Sequence, residues 1–290
     1  MKSLLPQPKS SSADIEALLK PNIPLSATAA RSSFNTIVGT ARKDDITGTA
    51  RRDHIFGRDG NDKLRGANGN DLIKGGNGND IISGDHVPKR TTTSHDRLYG
   101  QNGRDQLFGR LGNDFLSGGN GNDQLFGGSG RDRLYGGNGD DQLFGGIVSG
   151  DRSFNPKPDS NDYLAGGRGN DFLSGGAGRD YLIGTSSTAK GAGETDILIG
   201  GSGGDTFVLG DRKAVYYTRG NDLAVISDFN RKADKVRLHG DASDYVLTYD
   251  RQGKGTALGY LGRGNFELVG VFADQNLSNM SLTNTAFQYV

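Results

Sequence analysis

Sixteen times between Gly39 and Val208 the chain sets an aspartate two residues ahead of a single apolar residue, mostly at a spacing of nine. The stretch Gly118-Gly119-Asn120-Gly121-Asn122-Asp123-Gln124-Leu125-Phe126 runs straight into Gly127-Gly128-Ser129-Gly130-Arg131-Asp132-Arg133-Leu134-Tyr135. The pattern is G-G-x-G-x-D-x-U-x, with U apolar. A fixed internal period restricts the fold more tightly than any local propensity. One apolar residue in nine cannot fill a globular core. It can fill the thin interior of a flattened coil with a strand on each side. Two repeats then close one turn, and each repeat lies under the second one after it.

Positions one to six read as a turn and positions seven to nine as a short strand. Glycine at one, two and four frees the backbone for positive φ. Such a bend turns carbonyl oxygens toward a common point, and position six adds a carboxylate to it. Position eight points inward, while seven and nine point outward. Position six is aspartate in every repeat: Asp44, Asp53, Asp62, Asp71, Asp80, Asp96, Asp105, Asp114, Asp123, Asp132, Asp141, Asp162, Asp171, Asp180, Asp196 and Asp205. Position eight is Ile, Leu or, at the end, Phe207.

Stacked strands lie about 4.8 Å apart. Two carboxylates at that spacing repel by roughly 1 kcal/mol in water and about 3–4 kcal/mol at an effective dielectric near 20. Summed over two columns, that repulsion opens the stack unless a cation sits between the turns. The available donors are carboxylates and backbone carbonyls; the chain has no cysteine and four histidines. A hard, all-oxygen site of flexible geometry selects Ca²⁺ over Mg²⁺ or Zn²⁺. A metal-free turn, in which Asp bonds its own backbone, suits one such turn better than sixteen in phase.

These nonapeptides resemble those of the RTX (hemolysin-type) calcium-binding family, over roughly residues 39–208. The resemblance implies a right-handed parallel β-roll with Ca²⁺ held between successive turns on both sides. It also implies export by a type I secretion system and folding outside the cell. The candidate metal ligands are Asp62, Asp71, Asp80, Asp105, Asp114, Asp123, Asp132, Asp141, Asp171, Asp180 and Asp205. Asp44 and Asp53 belong to repeats with Arg42 and Arg51 at position four, and these two repeats read as an N-terminal cap. Three repeats carry insertions, over 84–99, 145–165 and 184–199, and lack glycine at position four. Asp96, Asp162 and Asp196 are therefore weaker candidates, and the insertions are expected to loop out without breaking the roll.

Residues 39–208 hold 22 Asp and one Glu against 20 Lys and Arg, a net charge of −3. Arg52, Arg104, Arg131 and Arg179 stand at position five, beside the candidate ligands. One reading makes them solvated charge. The other pairs them with aspartates in place of some calcium. The first is favoured, because position five alternates away from the position-six carboxylate.

The flanks differ. Residues 1–38 are rich in Ser, Pro and Ala and read as a partly disordered leader, with two helical turns over 12–20 and no apolar h-region of a Sec signal. Residues 209–290 lose the nonapeptide and gain β-branched and aromatic runs at 214–217, 223–226, 235–238, 245–249, 257–261 and 266–271, which read as strands. The segment 222–238 resembles the one following RTX repeats in type I-exported proteins. The apolar end, Ala286-Phe287-Gln288-Tyr289-Val290, suits either an export signal or a last strand. The expected fold is all-β: a leader over 1–38, a parallel β-roll of calcium-binding repeats over 39–208, and a β-rich C-terminal cap over 209–290.

No enzyme is legible. There is no H-E-x-x-H and no phosphate loop. Gly200-Gly201-Ser202-Gly203-Gly204 matches G-x-S-x-G, but it sits in a repeat turn with no helix signal after it. His54, His86, His95 and His239 are scattered. The net charge is zero, which gives no general attraction to nucleic acid. No apolar run reaches the ~20 residues of a membrane span. On the outer faces Gln106/Phe108, Gln124/Phe126 and Gln142/Phe144 stack on one sheet, and Arg97/Tyr99, Phe115 and Arg133/Tyr135 on the other. These rings either hold the sheet together or form a contact surface for a cell-surface polysaccharide or a second copy. The expected function is a secreted, non-catalytic calcium-binding protein, structural or surface-associated. The alternative is a carbohydrate-binding or enzyme-accessory module.

Overall fold

The computed structural model describes residues 34–85, 94–146, 161–185, 193–210, 214–217, 222–250, 255–261, 266–273, 275, 277 and 280–290. The expected helical turns at 12–20 and His86 lie outside them. The strands sort into an 11-stranded and a 12-stranded sheet. Successive strands of the repeat region alternate between the two sheets, so two repeats make one coil. Pairing within the repeat region is parallel, and position matches position: Gln106, Gln124 and Gln142 stand in one row, Leu107, Leu125 and Leu143 in the next. The period of nine leaves no other register that keeps every position-eight residue inside. From Ile55 to Phe207 all of them are fully buried.

The insertions leave this register intact. The strand Leu72–Asn77 pairs with Arg97–Asn102, and Ile73 still faces Leu98. Likewise Leu143 faces Leu173, and Leu173 faces Leu198.

The glycines divide into two kinds. Positions two and four take positive φ, as at Gly119 (119°) and Gly121 (124°). Position one does not; its requirement is space, so the expectation of positive φ at all three glycines is corrected. A Cβ on Gly127 would stand 2.5 Å from Asp132 Oδ2 and 2.7 Å from the Gly145 carbonyl oxygen. At position two Arg58, Ala67, Gln101 and Arg110 adopt the left-handed backbone at φ 81–88°, without glycine's freedom.

Past Val208 the coils continue. Leu223–Ile226 pairs parallel with Thr195–Gly203, and Lys235–Leu238 pairs with Thr206–Val208. Glu267–Phe272 adds a further parallel rung and turns back through Gly255–Tyr260 and Tyr245–Asp250 as an antiparallel meander. Phe287–Tyr289 closes the other sheet against Lys235–Leu238. Phe207, Phe229 and Phe272 fill this end of the core, with ring centroids 6.2 and 4.9 Å apart. The strand expected at 214–217 does not form. Val215 makes one isolated bridge to Gly210, and Val215, Tyr216 and Tyr217 are all buried. A strand would bury alternate residues; these three plug the end of the roll together.

The outer faces carry aromatic ladders longer than the repeat pairs suggest. Phe108, Phe126 and Phe144 stack at 5.0 and 5.1 Å, and Phe172 extends the row at 5.6 Å. Tyr99, Phe115, Tyr135, Tyr163 and Tyr181 form the opposite ladder at 5.3–5.6 Å. These rings are half-buried in one another. Beside the phenylalanines the Gln106 amide donates to Gln124 and the Gln124 amide to Gln142.

Positions two and four predict opposite effects of substitution. Gln101→Gly is expected to raise the stability of the calcium-loaded roll by about 1 kcal/mol, through relief of its backbone. Gly121→Ala places a Cβ 1.9 Å from the Gly103 carbonyl oxygen at φ 124°, and is expected to cost more than about 3 kcal/mol. Denaturant unfolding at saturating Ca²⁺ measures both.

Candidate metal centre

The turn places each position-six aspartate inside the roll, on the same side of the strand as the buried leucine. Asp53, Asp62, Asp71, Asp80, Asp96, Asp105, Asp114, Asp123, Asp132, Asp141, Asp162, Asp171, Asp180, Asp196 and Asp205 are all 0–2 % exposed. They form two columns. In the first, the backbone N–H of Asp44, Asp62, Asp80, Asp105, Asp123, Asp141 and Asp171 donates to Oδ1 of the next aspartate along, ending at Asp196. In the second the chain of donors runs Asp53, Asp71, Asp96, Asp114, Asp132, Asp162, Asp180 and Asp205, ending at Asp234. The bonds measure 2.7–3.0 Å.

From Asp62 on, one oxygen of each column carboxylate is thus committed to the neighbouring coil. The other, Oδ2, is buried and has no hydrogen-bond partner in Asp62, Asp71, Asp80, Asp96, Asp105, Asp114, Asp123, Asp141, Asp171 and Asp205. A buried acceptor left unsatisfied costs about 1–3 kcal/mol, and more when charged. Ten of them come to about 10–30 kcal/mol even when neutral, as large as or larger than the roughly 5–15 kcal/mol stability of a whole domain. The ionised roll therefore needs positive charge at these oxygens.

The cradle is the space that position-one glycine leaves open. A Cβ on Gly57 would lie 2.3 Å from Asp62 Oδ2 and 2.6 Å from the Gly75 carbonyl oxygen of the next coil. A Cβ on Gly136 would lie 2.3 Å from Asp141 Oδ2 and 2.6 Å from the Gly166 carbonyl oxygen. A carboxylate and a carbonyl oxygen from adjacent coils thus face one point. Among the described residues no three Asp, Glu or His side chains converge. Most ligands of any cation here come from the backbone, which suits Ca²⁺ and its preference for many neutral and anionic oxygens.

Asp96 and Asp162, the weaker candidates on sequence for want of a position-four glycine, stand in the columns with the same bonds as their neighbours. Asp234, outside any full nonapeptide, extends the second column; it stands two residues ahead of the buried Val236, which pairs with Phe207, and that end of the motif was the signal that could have found it. The ends differ from the middle. Thr40 N–H and Thr49 N–H donate to Oδ2 of Asp44 and Asp53, each at 2.6 Å. Position five points outward as expected. Its side chains make a separate ladder in which Asn61, Asn79, Asn113 and Asn122 accept from the position-five N–H one coil on. His95 joins this ladder through Nδ1, which accepts from Asn113 N–H. Among the described residues one ion pair is formed, Arg65 to Asp45 at 2.6 Å, on the outside of the roll. Ser202 of the G-x-S-x-G match is exposed on the strand Thr195–Gly203, and the next element is the strand Thr206–Val208.

Two columns of buried carboxylates in a parallel coil, with oxygen the only donor, fit a calcium-binding β-roll. A model of the RTX calcium-binding nonapeptide repeat, in four copies, matches residues 38–73, 58–85, 90–116, 117–147 and 159–187. Residues 38–187 belong to that hemolysin-type family, and its repeats bind Ca²⁺. No curated protein matches the chain. Among solved structures it is similar to the extracellular lipase LipA from Serratia marcescens, at 20% identity and a TM-score of 0.31. That likeness covers 88% of this chain, which spans 40% of the lipase's length. At that score it says nothing about activity here.

Burial raises these carboxylates in the metal-free roll against the lowering effect of the backbone N–H bonds they accept, and other aspartates add to the rise at all of them but Asp123. Asp80 and Asp123 move from 3.8 to about 6, Asp105 and Asp114 to about 7, Asp141 to about 8, and Asp96 and Asp171 to about 9. The folded chain then holds more protons than the unfolded one above pH 3.8, so its stability falls as pH rises through the 6–9 window. In chelator, β-structure by circular dichroism is expected to be stronger at about pH 5 than at about pH 8. At saturating Ca²⁺ the order reverses, because protons compete with the metal for the same oxygens.

Proposed function

We propose that this is a secreted calcium-binding protein whose roll folds on binding Ca²⁺ outside the cell. Its ligands are Oδ2 of Asp62, Asp71, Asp80, Asp105, Asp114, Asp123, Asp132, Asp141, Asp171, Asp180 and Asp205, joined by Asp96 and Asp162 and by backbone carbonyls. The observation that carries this reading is the row of buried Oδ2 atoms facing the position-one glycines. Bound Ca²⁺ supplies the positive charge that lets these carboxylates stay ionised inside the roll. Extracellular calcium modules work at roughly 10⁻⁴–10⁻³ M, so the chain stays unfolded where calcium is scarce and folds where it is plentiful. Among the described residues no helix is long and apolar enough to cross a membrane.

The role we assign is structural or surface-associated and non-catalytic. The division into a leader over 1–38, a roll over 39–208 and a C-terminal cap over 209–290 belongs to the same proposal, as does export by a type I system. The alternative, a carbohydrate-binding or enzyme-accessory module, draws on the two aromatic ladders. Their rings stack on one another at 5.0–5.6 Å and are half-buried in doing so. Such cross-strand stacking stabilises a sheet without any partner, which favours the structural role.

Two measurements test this. Circular dichroism is expected to show a largely disordered chain in chelator at about pH 7.5 and β-structure at millimolar Ca²⁺; equal β-signal in both would refute calcium-driven folding. Calorimetry is expected to show lowered calcium stoichiometry or cooperativity in Asp123→Ala and little change in Asp44→Ala, whose Oδ2 is already held by Thr40. Equal losses in the two would contradict the assignment of the first repeats as a cap.

A further inference from the structure

We propose that the protein itself stops each calcium column at its ends, and that Tyr217 is the stopper of the first column, its hydroxyl taking the cradle at Asp196 in place of Ca²⁺. This rests on the reading of the interior aspartates as calcium ligands.

The cradle at Asp196 is built like the others. A Cβ on its position-one residue, Gly184, would lie 2.2 Å from Asp196 Oδ2. In the repeat of Asp123 the corresponding probe point, on Gly118, has only atoms of Asp123 as its nearest neighbours. On Gly184 its nearest neighbour is the Tyr217 hydroxyl, at 2.1 Å. That hydroxyl donates to Asp196 Oδ2 at 2.8 Å and accepts from Thr185 N–H at 3.1 Å. The ring is buried, 3 % exposed. One neutral donor thus satisfies the oxygen that stays unpartnered at Asp171, one coil earlier in the column. It fills the space a cation needs and brings no charge.

The other three column ends carry the same device in different residues. Thr40 and Thr49 cover Oδ2 of Asp44 and Asp53 with both the backbone N–H and the side-chain hydroxyl. Asn230 N–H covers Oδ2 of Asp234 at 2.7 Å. Beyond the column ends the next strand brings no further column aspartate, since Asn35 faces Asp53 and Ala224 faces Asp196, so a Ca²⁺ there has fewer carboxylates within reach. A fixed hydrogen-bond donor needs no second carboxylate. The stoppers therefore set how many aspartates take metal, independently of how many repeats the sequence contains. At the C-terminal end they also tie the first column to the 214–217 plug without calcium.

The test is calcium stoichiometry of the full chain, by equilibrium dialysis and calorimetry, with circular dichroism as the check on folding. Asp196→Asn is expected to bind as many Ca²⁺ as the unsubstituted protein, while Asp123→Asn binds fewer. Equal losses in Asp196→Asn and Asp123→Asn would overturn the assignment to Tyr217 alone. No loss in either would overturn the aspartate ligands on which it rests. Tyr217→Phe bares Asp196 Oδ2 and is expected to bind one more Ca²⁺, a gain that Tyr217→Phe combined with Asp196→Asn does not show. An unchanged count in a folded Tyr217→Phe would overturn the claim that hydroxyl and cation compete. If Tyr217→Phe does not fold, the comparison of Asp196→Asn with Asp123→Asn still decides.

Discussion

From Asp62 on, each column aspartate binds the neighbouring coil through Oδ1 and turns Oδ2 into the interior. The first bond, at 2.7–3.0 Å, locks one coil to the next and makes the carboxylate part of the backbone ladder. It also forces the second oxygen into a place that water cannot reach. Stacking and charge are therefore coupled: the coil cannot close without burying carboxyl groups, and it cannot hold them ionised without a counter-charge. The aliphatic column supplies cohesion but is one residue wide, too thin to offset that cost alone.

The glycines follow from this coupling in two ways. At positions two and four the chain bends through the left-handed region, and Arg58, Ala67, Gln101 and Arg110 show that position two tolerates other residues at that φ. At position one a side chain would occupy the space beside Oδ2, so glycine there answers to the carboxylate rather than to backbone freedom. Outside the roll the same repeat builds neutral ladders of Asn, Gln and aromatic side chains. These hold the coils in register where solvent would otherwise compete, and they carry no charge that would repel between coils.

The ends obey different rules because an aspartate there has one column neighbour instead of two. Hydrogen-bond donors of the protein stand on Oδ2 at Asp44, Asp53, Asp196 and Asp234. Beyond Val208 the core widens, and Phe207, Phe229 and Phe272 fill what a leucine column cannot. The antiparallel meander then ends the growth of the 12-stranded sheet.

The period of nine was enough to read the coil, its two sheets, the like-on-like register, the buried residue at position eight and the two aspartate columns. Those features depend on residues that recur at a fixed interval, and each repeat states them again. The strands at 223–226 and 235–238 were legible too, because alternation marks a half-buried strand anywhere. What lay outside the period was not legible. Tyr217 meets Asp196 from 21 residues away. Phe172, Tyr163 and Tyr181 join the aromatic ladders only because the insertions restore the register after themselves. The division of each carboxylate into a committed and an uncommitted oxygen also belongs to the tertiary structure. Sequence places an aspartate in every turn; only the distance between stacked coils decides which oxygen meets a backbone N–H and which is left for a cation.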